Sequence, residues 1–143
     1  MNAITIRYNQ KVNSISSSLE VAPVQGTFQS FSAIWDTGAS SSIITETVVY
    51  KLDLKPIGQT TIQGVTGSKK VNRYAVEFLL PNDYSIKLMA NGCSEILGCD
   101  VLIGMDIISM GDFAITANSM GPTFSFQIPH GKEIDFRKKR KSC

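Results

Sequence analysis

One aspartate in this sequence stands where its carboxylate could take part in chemistry. Asp36 directly follows the apolar run Phe31–Trp35 and precedes the small residues Thr37, Gly38 and Ala39. A strand that ends in a carboxylate delivers to a loop a group that can donate or accept a proton. The alternative is an ordinary turn, because aspartate and glycine both favour turns. We favour the catalytic interpretation because two further segments accompany this one.

Those segments follow Asp36 in a definite order. Gly64–Gly67 (GVTG) is predicted to form a hairpin tip between two β-prone arms, Gln59–Val65 and Lys69–Val76. Asp100–Asp106 (DVLIGMD) then supplies two aliphatic residues and a glycine that lead into a short helix. This order, with Asp-Thr-Gly-Ala first, resembles the retropepsin-like aspartic proteases, and their small microbial members more than the viral enzymes. The resemblance covers roughly residues 28–128.

The resemblance implies an aspartic endopeptidase that hydrolyses extended polypeptides with a water activated by two carboxylates. Two carboxylates about 3 Å apart share one proton, so one acts as base while the other acts as acid. Asp-Thr-Gly occurs only once, and a two-lobed chain with a second copy would need about twice this length. The implied enzyme is therefore a homodimer, with Asp36 and its symmetry mate at the axis.

The same resemblance assigns roles to neighbouring residues, and it implies no metal or cofactor. Thr37 would bond to the partner's loop and belongs with Asp36 and Gly38 to the catalytic set. The implied substrate-binding residues are Gly38, Ala39, Ser40, Val65, Thr66 and Gly67, of which the last three would form a flap over the bound peptide. Structural support behind the catalytic loop is implied for Leu102, Ile103 and Gly104.

Two positions depart from the viral pattern. Viral relatives usually have an aspartate where Ser40 stands and an arginine where Met105 stands, and those two side chains pair. Both are absent here, and losing both partners of a buried pair costs much less than losing one. We therefore expect the fold to be retained. Asp106, which follows Met105, is expected to cap or orient the short helix.

The remaining chain reads as short strands with turn signals between them. It predicts a mostly β fold, specifically a small closed β-barrel of the retropepsin (acid protease) type with one or two short helices. Thr45–Leu52, with Thr45 as its cap, and Met105–Met110 are the helical candidates. Val12–Ser18, which contains four serines, is interpreted as a polar connection. Trp35 is expected to pack in the core under the loop.

Charge and cysteine content exclude several classes of function. Arg137–Lys141 carries five of the 14 basic residues, which leaves nine basic against 12 acidic residues elsewhere, a net charge of −3. We therefore expect no nucleic-acid requirement, and we divide the chain into a protease domain at 1–136 and a basic, disordered tail at 137–143. Three cysteines without a disulfide pattern favour a reducing, cytoplasmic location. No apolar run reaches 18 residues, so no membrane partner is expected.

Two other interpretations stay open at this stage. The chain could be a catalytically silent module of the same fold that dimerises and captures peptides without cutting them; the intact Asp36, Thr37 and Gly38 argue against it. It could also be an interaction protein that acts through its basic tail. A single histidine, His130, and the separated Cys93 and Cys99 make a metal site a poor interpretation.

Overall fold

The computed structural model describes residues 2–138, and most of this range forms β-strands. The strands are β1 (Asn2–Arg7), β2 (Ile15–Pro23), β3 (Gln29–Trp35), β4 (Ile43–Thr45), β5 (Gly58–Gly64), β6 (Gly67–Leu79), β7 (Ser85–Cys93), β8 (Val101–Ile103), β9 (Asp112–Ala117) and β10 (Pro122–Ile128). The helices are α1 (Glu46–Lys51) and α2 (Met105–Ile108). The prediction of a mostly β fold with one or two short helices is confirmed, and two are present. Residues 139–143, the larger part of the predicted tail, lie outside the described residues.

The larger sheet closes on itself. Its strand order is β2-β3-β8-β4-β7-β6-β5, and β2 also pairs with β6 from Glu20↔Leu79 to Pro23↔Val76. This second pairing makes the sheet a ring, from which β5 projects as the outer arm of a hairpin with β6. Within the ring, β3 and β8 run parallel with Trp35 opposite Ile103. The ring thus brings two distant segments of the chain, the ends of β3 and β8, side by side.

The smaller sheet packs beneath the end of β3. Its order is β1-β10-β9, and it buries Phe124 and Phe126 of β10. The Trp35 ring lies 4.9 Å from the Phe126 centroid and 5.2 Å from that of Phe124, in tilted contacts that favour aromatic pairs. Trp35 is a core residue, as predicted. This packing fixes the backbone directly before Asp36.

The interpretation of Val12–Ser18 as a connection is wrong, because β2 begins at Ile15. Alternation explains the error: Ile15, Leu19 and Val21 are buried, while serines occupy positions between them. Ser17 lies on the inner side of the strand, and its Oγ accepts a hydrogen bond from Trp35 Nε1 at 3.0 Å. A serine that accepts the hydrogen bond of a buried indole N–H can therefore occupy an inward position of a strand.

Helix α1 starts where the sequence predicts, but the Thr45 side chain does not cap it. Thr45 occupies the N-cap position with extended backbone angles, yet its side chain makes no capping hydrogen bond. Its hydroxyl is buried without a partner among the described residues. Val48 anchors α1 in the core. In the part of the chain that the structure describes, no helix is both long and apolar enough to cross a membrane.

After β10, the backbone turns over the small sheet and is held by Asp112. The Gly131 N–H and the Gln127 side-chain amide both donate to Asp112 Oδ2, each at 2.6 Å. The hydrogen bond from Gly131, then that from Gln127, holds the pKa of Asp112 below its ordinary value, and the charge of His130 acts in the same direction. The carboxylate therefore stabilises this part of the fold only while it is ionised.

The lowered pKa of Asp112 determines how its contribution to stability changes with pH. A carboxyl whose pKa is lowered by folding contributes stability above its ordinary pKa of 3.8 and loses it as the pH falls through the folded value. We expect Asp112→Asn to lower Tm above about pH 3.8, where the carboxyl is ionised, and the difference in Tm to shrink below that pH. Thermal unfolding of both proteins from pH 7 to pH 2 measures this. A Tm difference of unchanged size at pH 2 would contradict it.

Candidate active site

The carboxylate of Asp36 lies at the junction of β3 and β8. Its backbone N–H donates to the Ile103 carbonyl at 2.9 Å, which extends the parallel pairing by one residue before the chain turns away. Asp36 Oδ1 accepts a hydrogen bond from the Gly38 N–H at 2.8 Å, and the Ala39 N–H donates to the Asp36 carbonyl at 3.2 Å. Asp36 is half-buried, and Oδ2 has no partner among the described residues. One carboxylate oxygen is therefore fixed, while the other is left for a ligand.

Gly38 is held close to this carboxylate. A Cβ added at Gly38 would lie 3.1 Å from Asp36 Oδ1, tighter than an ordinary contact. Thr37 and Gly38 are both exposed, and no described residue accepts a hydrogen bond from the Thr37 hydroxyl. The loop therefore offers a carboxylate, a free hydroxyl and bare backbone at one surface.

The residues predicted to support the loop lie directly behind it. Ile103 is completely buried, whereas Leu102 lies on the opposite face of β8 and is half-buried. At Gly104 the two segments cross in close contact: an added Cβ would lie 2.8 Å from the backbone of Ser41 and 2.9 Å from the Ala39 carbonyl oxygen. The Met105 N–H also donates to that carbonyl at 2.7 Å. Only glycine fits this crossing without displacing the loop.

A polar tie that sequence reasoning missed joins the far end of the loop to α2. Asp106 accepts hydrogen bonds from the Ser42 N–H at 2.9 Å and from the Ser42 hydroxyl at 2.8 Å. Ser42 is fully buried, and its Oγ accepts the Gly104 N–H at 3.1 Å. Asp106 also accepts the Ile107 N–H at 3.0 Å, in line with its expected role in orienting the helix. Its main contacts, however, are with the loop, and Ser42 gave no sequence signal beyond being one of three consecutive serines.

Ser40 and Met105, the two positions that depart from the viral pattern, take no part in these hydrogen bonds. Ser40 and Met105, where viral relatives carry aspartate and arginine, are both exposed and make no side-chain hydrogen bond with each other. The loop is instead fastened by Ser42, two residues after Ser40, and by Asp106, the residue after Met105. The loop is therefore fastened without a side-chain pair between positions 40 and 105.

The predicted flap residues form the tip of the β5–β6 hairpin. Gly64 pairs with Gly67, so only Val65 and Thr66 remain in the turn. Gly67 has φ +118°, a conformation that side chains rarely adopt. Val65 is wholly exposed. An apolar side chain at the tip of a projecting hairpin is available for contact with a ligand or a partner.

A match to a family model shows which family the chain belongs to. The family model described as aspartyl protease matches residues 21–107, which include the Asp36 loop, the hairpin and the Gly104 crossing. The chain belongs to the aspartyl protease family. No curated protein matches the sequence of this aspartyl protease significantly.

Solved structures show which fold this aspartyl protease has. A retropepsin-like aspartic protease from Rickettsia conorii superposes with a TM-score of 0.54 at 16% identity, covering 87% of this chain and 98% of that one. The EIAV protease complexed with the inhibitor HBY-793 gives a TM-score of 0.54 at 20% identity, covering 73% of this chain and 92% of that one. The fold is therefore retropepsin-like, as the sequence implied.

The side chains that commonly bind metal ions do not cluster in the described part of this aspartyl protease. Across residues 2–138, no group of three or more histidine, cysteine, aspartate or glutamate side chains is placed to hold a metal ion. Cys93 and Cys99 are free thiols, and burial raises the pKa of both. Thiols that resist ionisation are poor nucleophiles and poor metal ligands.

Proposed function

We propose that this aspartyl protease is an endopeptidase that hydrolyses peptide bonds of extended polypeptides. The observation that carries the proposal is the state of Asp36: one oxygen is held by Gly38, and the other is free at an exposed loop. A water bound between two such carboxylates would lose a proton to the ionised member and attack the scissile carbonyl. The protonated member would polarise that carbonyl and then pass a proton to the leaving nitrogen.

The second carboxylate is proposed to come from a second copy of the chain. Asp-Thr-Gly occurs once in the 143 residues, and Asp106, the acidic residue that fastens the loop, is engaged by Ser42. A two-fold axis beside Asp36 brings its symmetry mate into reach. The exposed Thr37 hydroxyl would then bond across the axis and hold the two loops in register.

An extended substrate would bind by strand addition. The bare backbone at Gly38 supports this assignment, together with the neighbouring Ala39 and Ser40. Val65, Thr66 and Gly67 would close over the peptide as the flap and exclude water. Leu102, Ile103 and Gly104 would support the loop that carries Asp36. We propose no cofactor.

The remaining assignments concern the limits and location of the enzyme. We propose that residues 1–136 are the protease domain and that the basic residues at 137–143 form a separate tail. The first two of these make ion pairs close by, Arg137 with Asp135 and Lys138 with Glu133. The free thiols Cys93 and Cys99 suit a reducing, cytoplasmic location.

The alternative is a silent module that dimerises and binds peptides without cutting them. Digestion of a mixed peptide library, with products identified by mass spectrometry, separates the two. We expect cleavage, with a rate per chain that rises with enzyme concentration and then levels off as monomers pair. Peptide binding without cleavage, in a preparation that sedimentation shows to be dimeric, would favour the silent module.

A further inference from the structure

The face of the ring that carries Asp36 also carries a band of aliphatic side chains. Along β3, Phe31, Ala33 and Trp35 are buried in the core, so Ile34 points to the opposite face with Asp36. The pairing places Ile34 opposite Leu102, and Leu102 opposite Ile43. All three are half-buried. We call Ile34, Leu102 and Ile43 the aliphatic row.

The next row on this face is polar and contains one charge. Two residues back along each strand, roughly 7 Å from the aliphatic row, stand Ser32 and Asp100. Asp100 Oδ2 accepts hydrogen bonds from the Ser32 N–H and the Ser32 hydroxyl, both at 3.2 Å, while the Asp100 N–H donates to the Ser32 carbonyl at 3.0 Å. The side chain is thereby held in one orientation.

The charge of Asp100 is not neutralised. The ion pairs among the described residues join Lys55 to Asp53, Arg137 to Asp135 and Lys138 to Glu133, and none involves Asp100. Oδ1 accepts no hydrogen bond within residues 2–138. Asp100 is half-buried, so water screens its charge less than that of a fully exposed side chain. A fixed carboxylate with a free oxygen attracts a cation and repels an acid.

We infer that Asp100 is a specificity residue, which selects polypeptides that carry lysine or arginine close to an apolar residue at the scissile bond. The aliphatic row would take the apolar side chain, and the long basic side chain would reach Asp100 with its charged end. The inference rests on the proposed function for the position of the substrate. A peptide with glutamate at the same position would meet the like charge of Asp100 and bind poorly.

Binding to non-cleavable peptides tests this separately from catalysis. The parent peptide has leucine on both sides of a reduced scissile amide and glutamine at three positions on each side. Six variants each replace one glutamine by lysine, and six more replace the same glutamine by glutamate. Fluorescence anisotropy gives Kd for the wild type and for Asp100→Asn, whose amide oxygen can still accept the Ser32 bonds. Asp83→Asn, which removes an exposed charge in the turn between β6 and β7, is the matched control.

We expect at least one lysine peptide to bind the wild type about five- to tenfold more tightly than the parent. Asp100→Asn should remove this preference, Asp83→Asn should keep it, and Asp100→Lys should transfer it to the corresponding glutamate peptide. That reversal distinguishes charge selection from a general loss of structure. The inference is overturned if no lysine peptide is preferred, if the preference survives in Asp100→Asn, or if no peptide binds.

Cleavage of the same peptides with an ordinary scissile amide is measured in parallel. Binding that follows Asp100 without any cleavage would contradict the proposed endopeptidase activity and leave the charge selection standing. Cleavage with no dependence on lysine would support the proposed endopeptidase activity and contradict the charge selection by Asp100.

Discussion

Replacing Asp36 by asparagine is expected to lower kcat/KM for peptide hydrolysis by about four orders of magnitude or more, while the fold is retained. Asparagine has nearly the same size, and its amide oxygen can accept the 2.8 Å hydrogen bond from the Gly38 N–H. It cannot, however, take a proton from water, and in the proposed dimer both members of the pair would be lost together. Peptide cleavage assays on wild type and Asp36→Asn measure the ratio.

Asp53→Asn is a suitable control for this prediction. Asp53 is exposed and pairs only with Lys55, so its loss should leave hydrolysis unchanged. Circular dichroism and Tm establish that each variant is folded. Residual activity near the wild-type level in a folded Asp36→Asn protein would mean that the chemistry takes place elsewhere.

Gly104→Ala is the second substitution with a large expected effect, although its side chain would touch no substrate. The new Cβ would lie 2.8 Å from the carbonyl carbon and oxygen of Ser41 and 2.9 Å from the Ala39 oxygen. These are backbone atoms of the loop that carries Asp36, so the loop must move to make room. Misplacement of a catalytic group by about 1 Å costs on the order of 100-fold in rate, and overpacking costs about 1–3 kcal/mol of unfolding free energy.

The chain provides a matched glycine for comparison. An alanine Cβ at Gly58, at the start of β5, would have no atom within 4 Å. Urea unfolding and kcat/KM should therefore change little in Gly58→Ala and strongly in Gly104→Ala. Equal behaviour of the two variants would show that the close crossing behind the loop does not position Asp36.

The sequence predicts the elements whose signals are local. Alternation in Phe31–Trp35, the turn residues between β6 and β7, and the aliphatic pair before Gly104 each specify their own structure, and each is found. Strand β2 is missed because serines fill its outward positions, and Ser17 is suited to the strand only through Trp35, 18 residues away. A contact of that range leaves no periodic signal in the sequence.

The sequence identifies single residues of the candidate site, but it does not identify the hydrogen bonds that hold the loop in place. Asp36, Gly38 and Gly104 are recognisable because a strand end and a close crossing restrict the residue type. The Ser42–Asp106 tie spans 64 residues and depends on the ring bringing β8 beside the loop. In the sequence, Asp100 is only the start of an aliphatic segment, because its outward orientation follows from the pairing with β3. Each missed feature depends on which strands are neighbours.

The proposed sharing of the site between two chains is tested most directly by mixing wild type with Asp36→Asn. The total protein concentration is held constant, at a level where sedimentation shows dimers, and peptide hydrolysis is measured as the wild-type fraction falls. Random pairing places most wild-type chains with inactive partners, so activity per wild-type chain should fall in proportion to the wild-type fraction. Activity per wild-type chain that stays constant at every ratio would contradict a dyad formed by Asp36 from two subunits.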